Sequence, residues 1–349
     1  VQKKINLFVS GTEYHFLMCI SLINEYYSGV QYENVMLLGG YRSSQIDVRM
    51  LPDNVTPIVL KTFKKAEDIL PVLSMLRYNA YDNLFVFHLY RTLEAYIVYK
   101  MKKSTVVHLV EDGALFYHKM ERRGLVSRLR MTWTIYREML QMRLRFFKLI
   151  FYRFHLWDSA DVDVICMTRP DLFVGRSNLK KPIRYIHLFP DQKMISDCER
   201  YFNVPIPHLK NCLIYISFKV YSERDADREI KIIDYLFKKS RYNNLFIKLH
   251  PAARQFQIDK MKSHYGDSVV LNNLPAELYL AKAVDSDIFS VASTSMFYNN
   301  PACKYYSLKL VCQHLGLYAQ WKNVQLPSHV TMITDLTPFI EVDSGHDKK

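Results

Sequence analysis

Apolar residues fall along this chain in short blocks, set between longer stretches where they recur every three or four positions. Runs at residues 5–10, 35–38, 57–60, 83–88, 105–110, 163–167 and 183–186 are the length of buried strands, and most are rich in Val, Ile and Leu. Helical periodicity lies between them. Residues 13–27 put Phe16, Ile20 and Ile23 on one face, and residues 66–78 and 91–101 also read as helices. Strands alternating with helices predict a parallel sheet covered on both faces. After an irregular, partly helical stretch punctuated by Pro205 and Pro207, the pattern restarts. Strands are expected at 212–217, 244–249, 268–271, 287–291, 308–312 and 330–333. Helices are expected at 223–240, at 275–283 and from Thr294 onward. The expectation is two α/β domains, 1–190 and 191–349.

Three strand ends carry chemistry. The run 105–110 leads straight into Glu111, Asp112 and Gly113. Open α/β sheets place their chemistry at the carboxyl ends of strands, and a partly desolvated carboxylate there suits a general base. The plainer reading is a turn that caps the next helix. Run 244–249 ends at His250 and Pro251. The proline stops the strand, so the imidazole projects from the sheet edge, where it can act on a phosphate or cap the strand locally. Ser293, Thr294 and Ser295 follow run 287–291 and offer hydroxyls and amides to an anion, or a simple N-cap. Glu277, after Pro275, suits ribose hydroxyls or a first-turn helix acid. Gly11 stands without a GxGxxG pattern, so the dinucleotide fingerprint is missing.

Composition narrows the class. At 349 residues the chain is too long for one core, and 49% hydrophobic with 23% charged residues is globular. No apolar run approaches ~20 residues, so no transmembrane helix is expected. The first residues enter a strand at once and do not read as a signal peptide, which leaves open a leader removed upstream. The six cysteines are scattered with no CxxC pair, which points to a reducing compartment without disulfides or a zinc site. A net charge of +13 favours an acidic partner. Much of it lies in residues 119–154, where ten basic side chains face only Glu121 and Glu138 and alternate with Trp133, Tyr136, Phe146 and other aromatics. Three readings stay open for this stripe: a helix on an anionic membrane, a wall of a polyanion groove, or an ordinary surface helix. No finger, RNP or helix-turn-helix signature supports nucleic acid.

The three strand-end motifs, in this order, resemble those of bacterial sialyltransferases of the GT-B fold. The wider contexts around His108 to Gly113, Phe246 to Pro251 and Val291 to Ser295 look most like the capsular polysialyltransferases, and next like the lipooligosaccharide sialyltransferases. The resemblance implies two Rossmann-like α/β domains facing across a cleft, the first for acceptor and the second for donor. It implies CMP-sialic acid as donor, inversion at the anomeric carbon, and neither metal nor cofactor. The general base would be Asp112 or Glu111, with a lean to the acid beside the glycine. His250, with Pro251, would act on the CMP phosphate; Ser293, Thr294 and Ser295 would bind that phosphate, and Glu277 the ribose. The third motif departs from the family's Ser-Ser by reading Ser-Thr-Ser, which leaves open which hydroxyl meets the phosphate. An anionic oligo- or polysaccharide acceptor would use the positive charge, with Arg91, Arg122, Arg123 and Arg128 as candidates for its groove. The expected location is cytoplasmic, peripheral on the inner membrane or within a capsule export complex. Single addition to a lipooligosaccharide, and a non-catalytic polyanion-binding protein, are the alternatives.

Overall fold

The computed structural model describes residues 2–39, 46–61, 65–76, 80–89, 91–117, 125–144, 159–173, 181–188, 192–272, 274–291, 293–317 and 325–337. The chain divides into two compact units, Val1–Asp112 with Lys119–Pro205, and Gly113–His118 with Ile206–Lys349.

The first unit holds strands β1 (Lys4–Ser10), β2 (Tyr32–Leu38), β3 (Val55–Val59), β4 (Asn83–Val86), β5 (Val106–Val110), β6 (Val164–Met167) and β7 (Ile183–Tyr185). Its helices are α1 (Glu13–Tyr26), α2 (Ala66–Met75), α3 (Thr92–Met101), α4 (Leu125–Gln141) and α5 (Gln192–Phe202). The sheet order is β3-β2-β1-β4-β5-β6-β7, with every pair parallel. Helices cover both faces of such a sheet, so its central strands are apolar on both sides rather than alternating. Leu7, Phe8 and Val9 of β1 are accordingly all fully buried. The order doubles back at β1, so the carboxyl ends of β1, β4 and β5 lie side by side.

The second unit repeats the plan with β8 (Leu209–Lys210), β9 (Cys212–Ile216), β10 (Asn244–Lys248), β11 (Val269–Val270), β12 (Ala283–Val284), β13 (Ser286–Ser290), β14 (Cys303–Ser307) and β15 (Val330–Met332). Its helices are α6 (Glu223–Lys239), α7 (Gln255–Tyr265), α8 (Ala276–Ala281) and α9 (Lys309–His314). The main sheet runs β11-β10-β9-β13-β14-β15, again parallel, and β12 pairs with β8 in a small separate sheet. A buried polar knot ties its layers together. Glu229 of α6 accepts from the Ser217 hydroxyl at 2.8 Å and from Gln257 Nε2 of α7 at 2.9 Å, and the Tyr215 hydroxyl reaches it at 3.3 Å.

The structure departs from the sequence reading in three places. The border falls after Pro205 rather than after residue 190, because α5 belongs to the first unit: Tyr201 and Phe202 pack edge-on against Phe16 of α1. An amphipathic pattern shows that a helix has a buried face, not which core receives it. The expected strand 308–312 is the start of α9, and the strand is Cys303–Ser307 instead. A short run that is apolar but for Lys309 fits a buried strand or a buried helix turn equally, and Ser307 Oγ accepts the Lys309 N–H just where the helix begins. The helix expected from Thr294 is a single 3-10 turn, Thr294–Phe297, so its dipole is short.

Candidate functional site

In the first unit, four side chains converge at the carboxyl edge, each from a different connection. His15 lies in the first turn of α1, where Thr12 caps the helix by accepting the His15 N–H at 3.1 Å. His88 follows β4, Glu94 sits in the first turn of α3, and Asp112 follows β5. His15 Nε2 meets Asp112 Oδ1 at 2.8 Å, and His88 Nε2 meets Asp112 Oδ2. The other nitrogen of His88 faces Glu94 Oε1 at 3.3 Å, and Glu94 also accepts the N–H groups of Phe87 and His88. The His15 ring stacks flat on Phe87, centroids 3.8 Å apart. His15, His88 and Glu94 are buried, whereas the Asp112 side chain is 36% exposed. The cluster therefore opens to solvent through its carboxylate.

The charges follow from these contacts. Burial would lower the His88 pKa, but Asp112 and Glu94 outweigh it and push it up to about 9, so His88 is an imidazolium at neutral pH. Burial would likewise raise Asp112, yet His88 and His15 hold it well below the usual carboxylate range. Glu94 is lowered in the same way, its burial offset chiefly by His88 and further by Arg91. His15 is lowered by its burial and stays neutral. Its tautomer is set by the Gly11 N–H, which donates to Nδ1 at 3.2 Å and leaves the proton on Nε2 to donate to Asp112. The result is an ionised, half-accessible carboxylate with one donor on each oxygen.

The neighbouring acid does something else. Glu111 is fully buried and accepts the Thr168 N–H at 2.7 Å, the Thr168 hydroxyl at 2.9 Å and the Tyr14 hydroxyl at 2.9 Å. Its carboxylate ties β5 to the residue after β6 and to α1. Of the two acids, Asp112 is the one a substrate can reach.

In the second unit, the carboxyl edge is cationic and hydroxylic. His250 is exposed beyond β10; the Ala252 N–H donates to its Nδ1 at 3.0 Å, so the neutral ring carries its proton on Nε2. Its pKa is lowered by partial desolvation of the ring against the surrounding protein and by Lys219 and Lys248. Lys248 is buried with its ammonium on the Asn272 carbonyl at 2.6 Å. Pro251 is exposed in the turn after His250. Ser293 caps the 3-10 turn: its Oγ accepts from the Ser295 N–H at 3.4 Å and from the Ser295 hydroxyl at 2.8 Å. Ser295 is thereby buried and committed, while Ser293 and Thr294 are half-exposed. Glu277 is buried in the first turn of α8. Gly113 belongs to this unit and has φ +72°; a Cβ there would stand 2.4 Å from Thr294 Oγ1. Both the left-handed backbone and the close approach require glycine.

His15, His88, Glu94 and Lys219 were not singled out from the sequence. The available signal was a histidine at the end of a strand, at 88, and another at the start of the first helix. Arg91 is exposed at the N-cap of α3. Arg122 and Arg123 lie outside the described residues, as does the side chain of Arg128. His15, His88 and Asp112 offer atoms within 4.8 Å of one another that could hold a metal ion. The donor set is ill suited to it. His15 Nδ1 is taken by Gly11, and both Nε2 protons are directed at Asp112. A metal would have to displace the protons that hold the carboxylate.

A family model described as alpha-2,8-polysialyltransferase (POLYST) matches residues 2–311. No curated protein matches the sequence at a significant level. A sialyltransferase from Photobacterium damsela superposes with TM-score 0.52 and 12% identity, over 96% of this chain and 82% of its own. UDP-GlcNAc 2-epimerase from Methanocaldococcus jannaschii superposes with TM-score 0.50 and 11% identity, over 99% and 94%. At such identities the likeness shows the fold, which is GT-B.

Proposed function

The chain belongs to the alpha-2,8-polysialyltransferase family and is a sialyltransferase of the GT-B fold, and from that premise we propose that it extends an oligo- or polysialic acid chain for a capsule, using CMP-sialic acid. The observation that carries the reading is Asp112: an accessible carboxylate, kept ionised by two histidines, at the sheet edge of the first unit. The hydroxyl of the acceptor sugar attacks the anomeric carbon of the donor. The new C–O bond forms as the bond to the CMP phosphate breaks, and the hydroxyl proton passes to Asp112. Attack from the face opposite the leaving group inverts that carbon. A base with a low pKa takes the proton late, once bond formation has made the hydroxyl acidic.

The second unit supplies the donor's needs in this reading. The His250 Nε2–H and the hydroxyls of Ser293 and Thr294 hold the departing phosphate, and Lys219 adds positive charge. Glu277 takes the ribose hydroxyls. The ammonium, imidazole and hydroxyls stand in for a metal at the phosphate, which supports a metal-independent reaction. Arg91 draws in the anionic acceptor, and the net charge of +13 supports work at an anionic membrane face. No described helix is long and apolar enough to cross a membrane.

The test is incubation with CMP-sialic acid and a fluorescent trisialyl acceptor in the presence of a chelator, with products resolved by length. A ladder of long products is expected. A single sugar added to a lactosyl acceptor, with none on trisialyl, would replace the polymerase reading with lipooligosaccharide transfer. Absence of CMP release with every acceptor would contradict transfer itself.

A further inference from the structure

Helix α4 has two faces of opposite character. Thr132, Ile135 and Met139 are buried against the first unit. On the outer side Val126 is 81% exposed, Leu129 50%, Trp133 68% and Leu140 73%. At 100° per residue these four side chains fall within an arc of about 60° and form one apolar ridge along the helix. Arg130 and Arg137, both exposed, border that ridge on one side. The helix has one acid, Glu138, and it is turned inward to accept the Thr92 hydroxyl at 2.7 Å. Isolated apolar residues on a surface need no explanation, but four aligned on one side of a helix, one of them an exposed tryptophan, do.

We infer that this face of α4 is a membrane-docking surface that lies flat on an anionic lipid bilayer, with Val126, Leu129, Trp133 and Leu140 entering the interface and Arg130 and Arg137 pairing with lipid phosphates. A helix of 17 residues is about 25 Å long and fits in the plane of the interface. Tryptophan is enriched at headgroup depth. Charge decides between occupants. In a second copy of this chain, ridge against ridge, the arginines bordering the ridges would be drawn together in antiparallel packing and would flank the seam on both sides in parallel packing, in either case with no exposed acid of α4 to pair them. A polysaccharide would pair with the arginines but leave four apolar side chains facing hydrated sugar. An anionic bilayer satisfies both parts of the face. The surface deepens the reading of an enzyme working at a membrane face, yet lipid binding is scored without any catalysis, so either idea can fail alone.

The experiment is co-flotation of the full chain with vesicles of pure phosphatidylcholine and of phosphatidylcholine with phosphatidylglycerol. Binding to the anionic vesicles is expected to be at least tenfold tighter and to weaken as salt rises. Trp133→Ser with Leu140→Ser should cut it at least tenfold while transfer to a soluble acceptor stays within twofold, since these exposed side chains support no core. Arg130→Glu with Arg137→Glu should abolish the preference for anionic lipid. Brominated lipid should quench the wild type more than Trp133→Phe. Equal binding by the serine variant, or none to anionic vesicles, would overturn the proposal. So would a dimer in light scattering that the serine variant dissolves, because the ridge would then belong to a second copy.

Discussion

Asp112 and Glu229 are both carboxylates held by hydrogen bonds beside a parallel sheet, one in each unit, and they end in opposite states. Asp112 faces two imidazoles, one of them charged, and its pKa falls well below the usual range. Glu229 is held by neutral donors, among them Ser217, Gln257, Tyr215 and the Phe218 backbone, and complete burial pushes it up to about 7 despite their hydrogen bonds. Neutral dipoles stabilise a buried carboxylate less than a neighbouring cation does. Exposure differs as well: Glu229 is fully enclosed and Asp112 is open. The first arrangement makes a group that can exchange a proton with a substrate. The second makes a strut between β9, α6 and α7.

The contrast is sharpest in activity. Asp112→Asn keeps the shape and removes the proton acceptor, and should lower kcat by about 10²- to 10⁴-fold with little change in donor binding. Glu111→Gln should retain most of that kcat and instead lower the melting temperature, because Glu111 serves Thr168 and Tyr14. Retained transfer in the first variant with loss in the second would exchange their roles. Next in size, His250→Ala should cost about 10²- to 10³-fold in kcat, as removal of a donor to a developing anion does. Initial rates at saturating donor decide it, and an unchanged rate would remove His250 from the phosphate site.

Stability against pH separates the two carboxylate systems. Glu229 is raised in the fold, so its contribution is full below its unfolded pKa near 4.5 and is lost as pH rises through about 7. That loss is about 3 kcal/mol, and Glu229→Gln should flatten it in urea titrations between pH 4.5 and 7.5. His88 is also raised, so its contribution is present below about 6.5 and lost as pH rises through about 9. A second fall in stability between those values, absent in His88→Gln, would identify it. Asp112 works in the other direction, since its depressed pKa gives stability that is lost only as pH falls below the ordinary carboxylate range. The smallest effect is that of Gly113→Ala, which should destabilise the chain by about 1–2 kcal/mol through its positive φ.

Much of this was legible in the sequence because it depends on local order. Buried parallel strands are continuous apolar runs, and residues placed just after them reach the carboxyl edge whatever the strand order. That is why Asp112, His250 and Ser293 could be placed at the sheet edges. The histidines could not, because His15 and His88 meet Asp112 only once β1, β4 and β5 are neighbours, and strand order is not written in periodicity. The division of labour between Glu111 and Asp112 was hidden for a related reason. Adjacent side chains at a strand end point to different sides, and which side holds Thr168 and which the histidines is a tertiary fact. The exchange of strand 308–312 for Cys303–Ser307 came from a tyrosine-rich, half-exposed strand beside a short apolar helix.

The protonation of the histidines around Asp112 is the most direct test of this electrostatic picture. Long-range ¹⁵N NMR of histidine-labelled protein, with His15 and His88 identified through their variants, reads the state of each nitrogen. The account predicts that His88 is doubly protonated at neutral pH and titrates near 9, while His15 stays neutral with its proton on Nε2. Two neutral rings at pH 7, or ordinary titration of His88 near 6.5, would contradict it. Asp112 would then have no cation to hold it ionised.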